Sequence, residues 1–314
     1  MGEKYDRANT AGYYPNVSSV SDKLKSVNTN DMINNKDTEI FVKSLYNNHY
    51  NTRKCDLIDY EIVKRIALSS GVAKNQLYNY LLLQGKRISY ENFKTHLYSL
   101  EYRGIIGTVT IHFIKDNKDV VIYDLDHYSK EILPDIGIAD NSSMLDYHYN
   151  KDILRFLRIK IMTNQIVLNL LCHDKNIQGF KINNSCSNTF EIKNKKKNML
   201  EDIFLPLNVK TKEKTYYFIF AADTHLGRAE FQRKLNAIKE QTWLNRKKAV
   251  LVVVGENMAH MQFLTFAVKN LLGTDTKYEI MYTHDGVWST NLPGRFYAMA
   301  RSVGQTGLIT VKLL

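Results

Sequence analysis

Apolar side chains return every three to four residues along three successive stretches, and each stretch runs up to a glycine. In DLIDYEIVKRIALSS, Leu57, Ile58, Ile62, Val63 and Ile66 recur at helical spacing, with Gly71 closing the segment. AKNQLYNYLLLQ repeats the pattern through Leu77, Tyr80 and Leu81 and stops at Gly85. The third stretch, YENFKTHLYSLEYRG, follows Ser89, whose hydroxyl suits an N-cap, and sets Phe93, Leu97 and Leu100 on one face before Gly104. The period then changes. IIGTVTIHFI and VVIYDL, rich in β-branched residues, flank the polar turn KDNKD in the manner of a β-hairpin. Three short helices and a hairpin predict a winged helix-turn-helix domain over residues 38–127.

On either side of this domain the periodicity fades. Residues 1–37 are rich in Asn, Ser, Asp and Lys and predict a disordered arm. Residues 128–150, with Pro134, Gly137 and the run Asp-Asn-Ser-Ser, predict a linker. A long helix is predicted from Asp152 to Cys172, then strands IQGFKI, NTFEI and TYYFIFAA, helix AEFQRKLNAIKEQTWL, strand AVLVVVG, helix MQFLTFAVKNLL and strand YEIMYT. AVLVVVG is apolar throughout, as a parallel strand covered on both faces would be. The order of helix, three strands, helix and strand is similar to the core of the restriction-endonuclease-like fold. The expected architecture is therefore α/β, a winged helix-turn-helix domain followed by a restriction-endonuclease-like domain over residues 151–314.

Charge narrows the choice of partners. The chain of 314 residues carries a formal net charge of +11, which favours an anionic partner, nucleic acid being the commonest. Cys55, Cys172 and Cys186 are odd in number and lack paired metal spacing, so neither a disulfide framework nor a zinc site is expected, and a cytoplasmic setting follows. The longest apolar runs, YYFIFAA and AVLVVVG, are seven residues each, whereas a membrane-spanning helix needs about 20. The opening MGEKYDRANT has no apolar core of a secretory signal.

A winged helix would present the outward face of its third helix to the major groove of double-stranded DNA. That face carries Tyr90, Glu91, Lys94, Thr95 and Tyr98. Lys94 suits a phosphate or a guanine edge, and the hydroxyls of Thr95 and Tyr98 suit phosphate or base. Lys86 and Arg87 before the helix, and Lys115 and Lys118 at the hairpin tip, are placed for the DNA backbone. DNA affinity is expected in residues 56–125, mainly electrostatic, with a homodimer reading paired half-sites. The run containing Lys193, Lys195, Lys196 and Lys197 fits a solvated loop and further phosphate contacts equally well.

Taken together, the winged helix and the following α/β order resemble the replication-relaxation proteins of Gram-positive plasmids and integrative elements, themselves similar to PD-(D/E)xK nucleases. The sequence signal of that resemblance is concentrated in FLPLNVKTKEKTYYFIFAADTHLG. It implies a role in replication, DNA relaxation or transcription control of a mobile element. The family pattern implies Pro-Asp at a strand start and an acidic following strand, whereas here Pro206 precedes Leu207 and only Asp223 remains beyond Ala221-Ala222. One carboxylate does not hold a magnesium ion for catalysis, so the nuclease-like domain is expected to be inactive and to need no cofactor. The alternative is a metallophosphoesterase. FAADTHLGR offers Asp223 and His225, VVVGENMAH offers Glu256, and YTHDG offers His284, a partial set for a Mg or Mn site. In the plain structural reading, Asp223 and Thr224 cap the following helix.

Overall fold

The computed structural model describes residues 56–69, 71–113, 118–126, 129, 151–174, 176–182, 207–221, 231–232, 235–236, 238–239, 248–255, 257–272, 279–288, 294–299 and 308–311. The predicted arm and nearly all of the predicted linker lie outside these residues. The protein is mixed α/β, with two sheets in two units whose division falls after Leu168.

The first unit opens with helix α1 (Leu57–Ser69). Its start is fixed by a reciprocal cap: Asp56 Oδ1 accepts from the N–H groups of Ile58 (2.9 Å) and Asp59 (3.1 Å), and the Asp56 N–H donates back to Asp59 Oδ2 (3.0 Å). Next come β1 (Val72–Ala73), α2 (Lys74–Leu83) and α3 (Tyr90–Tyr102). Gly85 and Gly104 follow the last two with φ of 74° and 65°, left-handed values at which a side chain would be strained. Strands β2 (Ile106–Phe113) and β3 (Lys118–Leu125) pair antiparallel, and β3 also pairs with β1, giving the order β1-β3-β2.

The predicted apolar stripes form the core of this unit. Ile62, Val63, Ile66, Leu77, Leu81, Phe93, Leu97 and Leu100 are all buried. Leu57, expected on the buried face, is 41% exposed, because it is the first residue of α1 and lies ahead of the packed stripe.

Helix α4 (Lys151–His173) matches the predicted long helix, and the division between the two units falls within it, after Leu168. The Gln76 side-chain amide ties α2 to it: Gln76 Nε2 donates to Ile161 O (2.8 Å) and Gln165 Oε1 (3.3 Å). Asn164 Nδ2 donates to Gly71 O (3.1 Å), and the Tyr80 hydroxyl donates to Asn164 Oδ1 (3.3 Å). Buried polar groups must find partners, and here α2, α4 and the turn at Gly71 supply them to one another.

The second unit is built on a seven-stranded sheet: β4 (Ile177–Ile182), β5 (Leu207–Thr211), β6 (Thr215–Phe220), β7 (Ala249–Gly255), β8 (Glu279–His284), β9 (Phe296–Met299) and β10 (Leu308–Val311), lying side by side in chain order. The pairs β4–β5 and β5–β6 are antiparallel, β6–β7 and β7–β8 parallel, and β8–β9 and β9–β10 antiparallel. Every residue of β7 is buried, as its composition requires. Helix α5 (Met258–Leu272) packs Met261, Leu264 and Val268 with Leu235 and Ile238 against Ile219, Leu251 and Val253. Helix α6 (Asp285–Trp288) follows β8, and Trp288 is fully buried, its Nε1 donating to Thr283 Oγ1 (2.8 Å). The strand paired with both β4 and β6 is Leu207–Thr211, which the apolar pattern did not single out, while the predicted strand NTFEI lies outside the described residues.

Candidate nucleic-acid interface

Helix α3 starts where expected: Ser89 Oγ accepts from the Asn92 N–H at 3.2 Å. With Phe93, Leu97 and Leu100 turned inward, the opposite face is left to solvent. Tyr98 is 60% exposed, and Tyr102, which the sequence reading omitted, is 86% exposed. Thr95 is exposed, its hydroxyl donating to the Glu91 carbonyl (3.1 Å), a bond it can exchange for a ligand. Arg87 is exposed ahead of the helix.

Other predicted contacts are already engaged. Lys94 Nζ lies 2.7 Å from Glu91 Oε2 and 5.6 Å from the centre of the Tyr90 ring. The Glu91 hydrogen bond raises the Lys94 ammonium above its ordinary pKa. Lys86 Nζ is 3.8 Å from Glu61 Oε1, a carboxylate that is almost wholly buried. The Tyr90 hydroxyl donates to Asn75 Oδ1 (3.1 Å), and its ring packs on Tyr78 and Phe93 at 5.1 and 6.0 Å, so it joins α2 to α3 as much as it faces outward. Burial, foremost, raises its pKa. Lys118 opens β3 opposite Phe113, and Lys115 lies outside the described residues.

On its inner side α3 is held by a polar latch. His96 Nδ1 is 2.7 Å from Asp59 Oδ1 and 3.7 Å from Asp56 Oδ1. Donor atoms of these three residues lie within 4.8 Å of one another, a grouping with metal-ligating chemistry. Its oxygens are also committed within the fold, Asp56 Oδ1 to two backbone N–H groups and Asp59 Oδ1 to the imidazole. The sequence reading singled out none of these three residues: an Asp ahead of a helix start is a capping signal that points to Asp56, but the partnership of Asp59 with His96, 37 residues further on, carries no sequence signal.

No family model, curated protein or solved structure matches this chain. The site therefore has to be read from its own geometry.

The alternative catalytic set is represented by His284 alone, since Asp223, His225 and Glu256 lie outside the described residues. His284 ends β8 opposite Gly255 of β7, its ring stacked on Tyr297 at 6.2 Å, and its buried Nδ1 has no hydrogen-bond partner among the described residues. Burial lowers its pKa. Among the described residues no helix is long and apolar enough to cross a membrane.

Proposed function

We propose that the protein is a cytoplasmic, sequence-reading DNA-binding protein of the winged-helix type, with a nuclease-like α/β domain that does not cleave. The observation that carries this reading is α3: a helix with a buried apolar face, a latched inner side, and an outer face bearing Thr95, Tyr98 and Tyr102. The order α1, β1, α2, α3, β2, β3, with β1 added to the hairpin edge, supports it, because that arrangement leaves α3 and the hairpin as neighbouring projections. In the second unit, β5 (LNVKT) and β6 (TYYFIF) carry no carboxylate, which supports a non-cleaving domain. By its resemblance to replication-relaxation proteins, the role is in replication, DNA relaxation or transcription control of a plasmid or mobile element.

The direct test is selection from a random duplex pool. The full chain is expected to enrich a motif, and Tyr98→Ala with Thr95→Ala is expected to weaken binding to that motif by about 1–3 kcal/mol while changing random-duplex binding less. Absence of any enriched motif would remove the reading. Paired half-sites imply a homodimer, so light scattering that gave only monomer, free and on the selected DNA, would exclude that part.

A second reading, a metal-dependent phosphoesterase, is favoured by the buried Nδ1 of His284, unpartnered among the described residues, at the end of the parallel strand β8. It requires manganese- or magnesium-dependent nicking of DNA that both Asp223→Ala and His284→Ala abolish.

A further inference from the structure

The basic charge and the candidate base-reading helix belong to different parts of this chain, an inference that rests on the DNA-binding reading above. Between residues 56 and 126, nine Lys or Arg are matched by nine Asp or Glu, so this segment has no formal net charge. Residues 151–314 hold 25 Lys or Arg against 13 Asp or Glu, which accounts for the whole +11 of the chain. Two of the nine cations in the first segment, Lys86 and Lys94, are moreover ion-paired within the fold. Affinity for a duplex backbone comes from cations that displace its counterions, and α3 with its surroundings has no excess of them.

The second unit does. Along β5 the side chains alternate, with Leu207, Val209 and Thr211 buried and Lys210 exposed. Lys181 of β4 lies opposite Asn208, on the same face of the sheet as Lys210, and is exposed as well. Lys210 pairs with Thr215 of β6, whose N–H donates to Lys248 O (2.8 Å) at the start of β7, and Lys248 is exposed. Lys212 is exposed in the turn between β5 and β6. Among the described residues the acids here are Glu213, in that same turn, Asp174 ahead of β4, and Glu279, which is engaged by Lys214 at 2.7 Å.

We propose that this basic corner of the seven-stranded sheet, formed by Lys181, Lys210, Lys212 and Lys248, is the phosphate-backbone site of the protein. The corner supplies affinity for duplex DNA of any sequence, while α3 supplies discrimination through uncharged side chains. This division differs from the expectation that electrostatic affinity resides in residues 56–125.

The experiment measures binding of the full chain to a labelled random-sequence duplex over a series of salt concentrations. Lys210→Gln with Lys248→Gln is expected to lower the slope of log affinity against log salt by about two units, and Arg87→Gln with Lys94→Gln by less than one. Restoring charge as Lys210→Arg with Lys248→Arg is expected to restore the slope. If the glutamine pair proves unfolded by circular dichroism, Lys181→Gln with Lys212→Gln takes its place with the same expectation. Wild-type chain that binds duplex with a slope unchanged by the corner variants, or lost through the Arg87 and Lys94 pair, would overturn this inference alone. Wild-type chain that binds no duplex at low salt would overturn the DNA-binding reading together with it.

Discussion

His96 lies on the apolar side of α3, between Phe93 and Leu97 in sequence, and its imidazole meets a nearly buried Asp59. Truncating it leaves that carboxylate without its side-chain partner, so His96→Ala should cost about 1–3 kcal/mol in urea unfolding. Because the two groups act as one, Asp59→Ala and His96→Ala together should cost clearly less than the sum of the single losses, and additive losses would show that the latch is not a coupled pair. Gly294 is constrained differently: a Cβ there would come within 2.2 Å of the Trp288 ring. Gly294→Ala should therefore lower stability by about 1–3 kcal/mol through overpacking, seen as a lower melting temperature. His284 adds a dependence on pH. Its folded-state pKa is depressed by burial, so the unfolded chain takes up a proton first as pH falls below about 6.5. Stability is lost as pH drops through that region, and His284→Gln should flatten the loss. Tyr216 acts at the other end. Burial raises its pKa to about 12, so stability falls as pH rises past about 10, where the unfolded tyrosine ionises. Tyr216→Phe should remove that alkaline contribution.

At the scale of elements, what the sequence made legible followed apolar period and punctuation. The helices of the first unit, the hairpin, the long helix α4 and the strand β7 all have at least six residues of unbroken pattern with a clear stop or start, and the structure has them where they were expected. What escaped was short or held by polar chemistry. Strand β5 has five residues, two of them Asn208 and Lys210, and it exists because Leu207 and Val209 fill the space between β4 and β6. Strand β1 has two residues and depends wholly on pairing with β3. The attachment of α4 to the first unit runs through Gln76 and Asn164, residues that a search for apolar stripes passes over. Gln76→Ala should leave Ile161 O without this donor, at a cost of about 1–3 kcal/mol, and hydrogen exchange should show the gain in opening concentrated in α2 and α4. Of the outer face of α3, the position of Thr95 and Tyr98 was legible from the helical period. The pairing of Lys94 with Glu91 sits at the i, i+3 spacing that such pairs favour, whereas the burial of Glu61 beneath Lys86 depends on tertiary packing and leaves no local trace.

For the molecule as a whole, the enclosed strand β7 has a consequence for how the chain reaches its fold. Its seven residues, AVLVVVG, have no charge and high strand propensity, and their partners on both sides, β6 before and β8 after, are separated from it by long stretches of chain. Non-local pairing of this kind forms slowly, so the segment spends time unpaired in a partly folded chain, in a form open to intermolecular strand stacking. Arg246, Lys247 and Lys248 stand immediately before it and repel other copies during that interval, as flanking charges do beside aggregation-prone runs. Removing the charges at positions 246 and 247 should leave the unfolding midpoint nearly unchanged while the yield of refolded protein falls steeply with chain concentration. The lysines nearest the middle of the sheet would then guard the nascent protein before they take any part in the finished one.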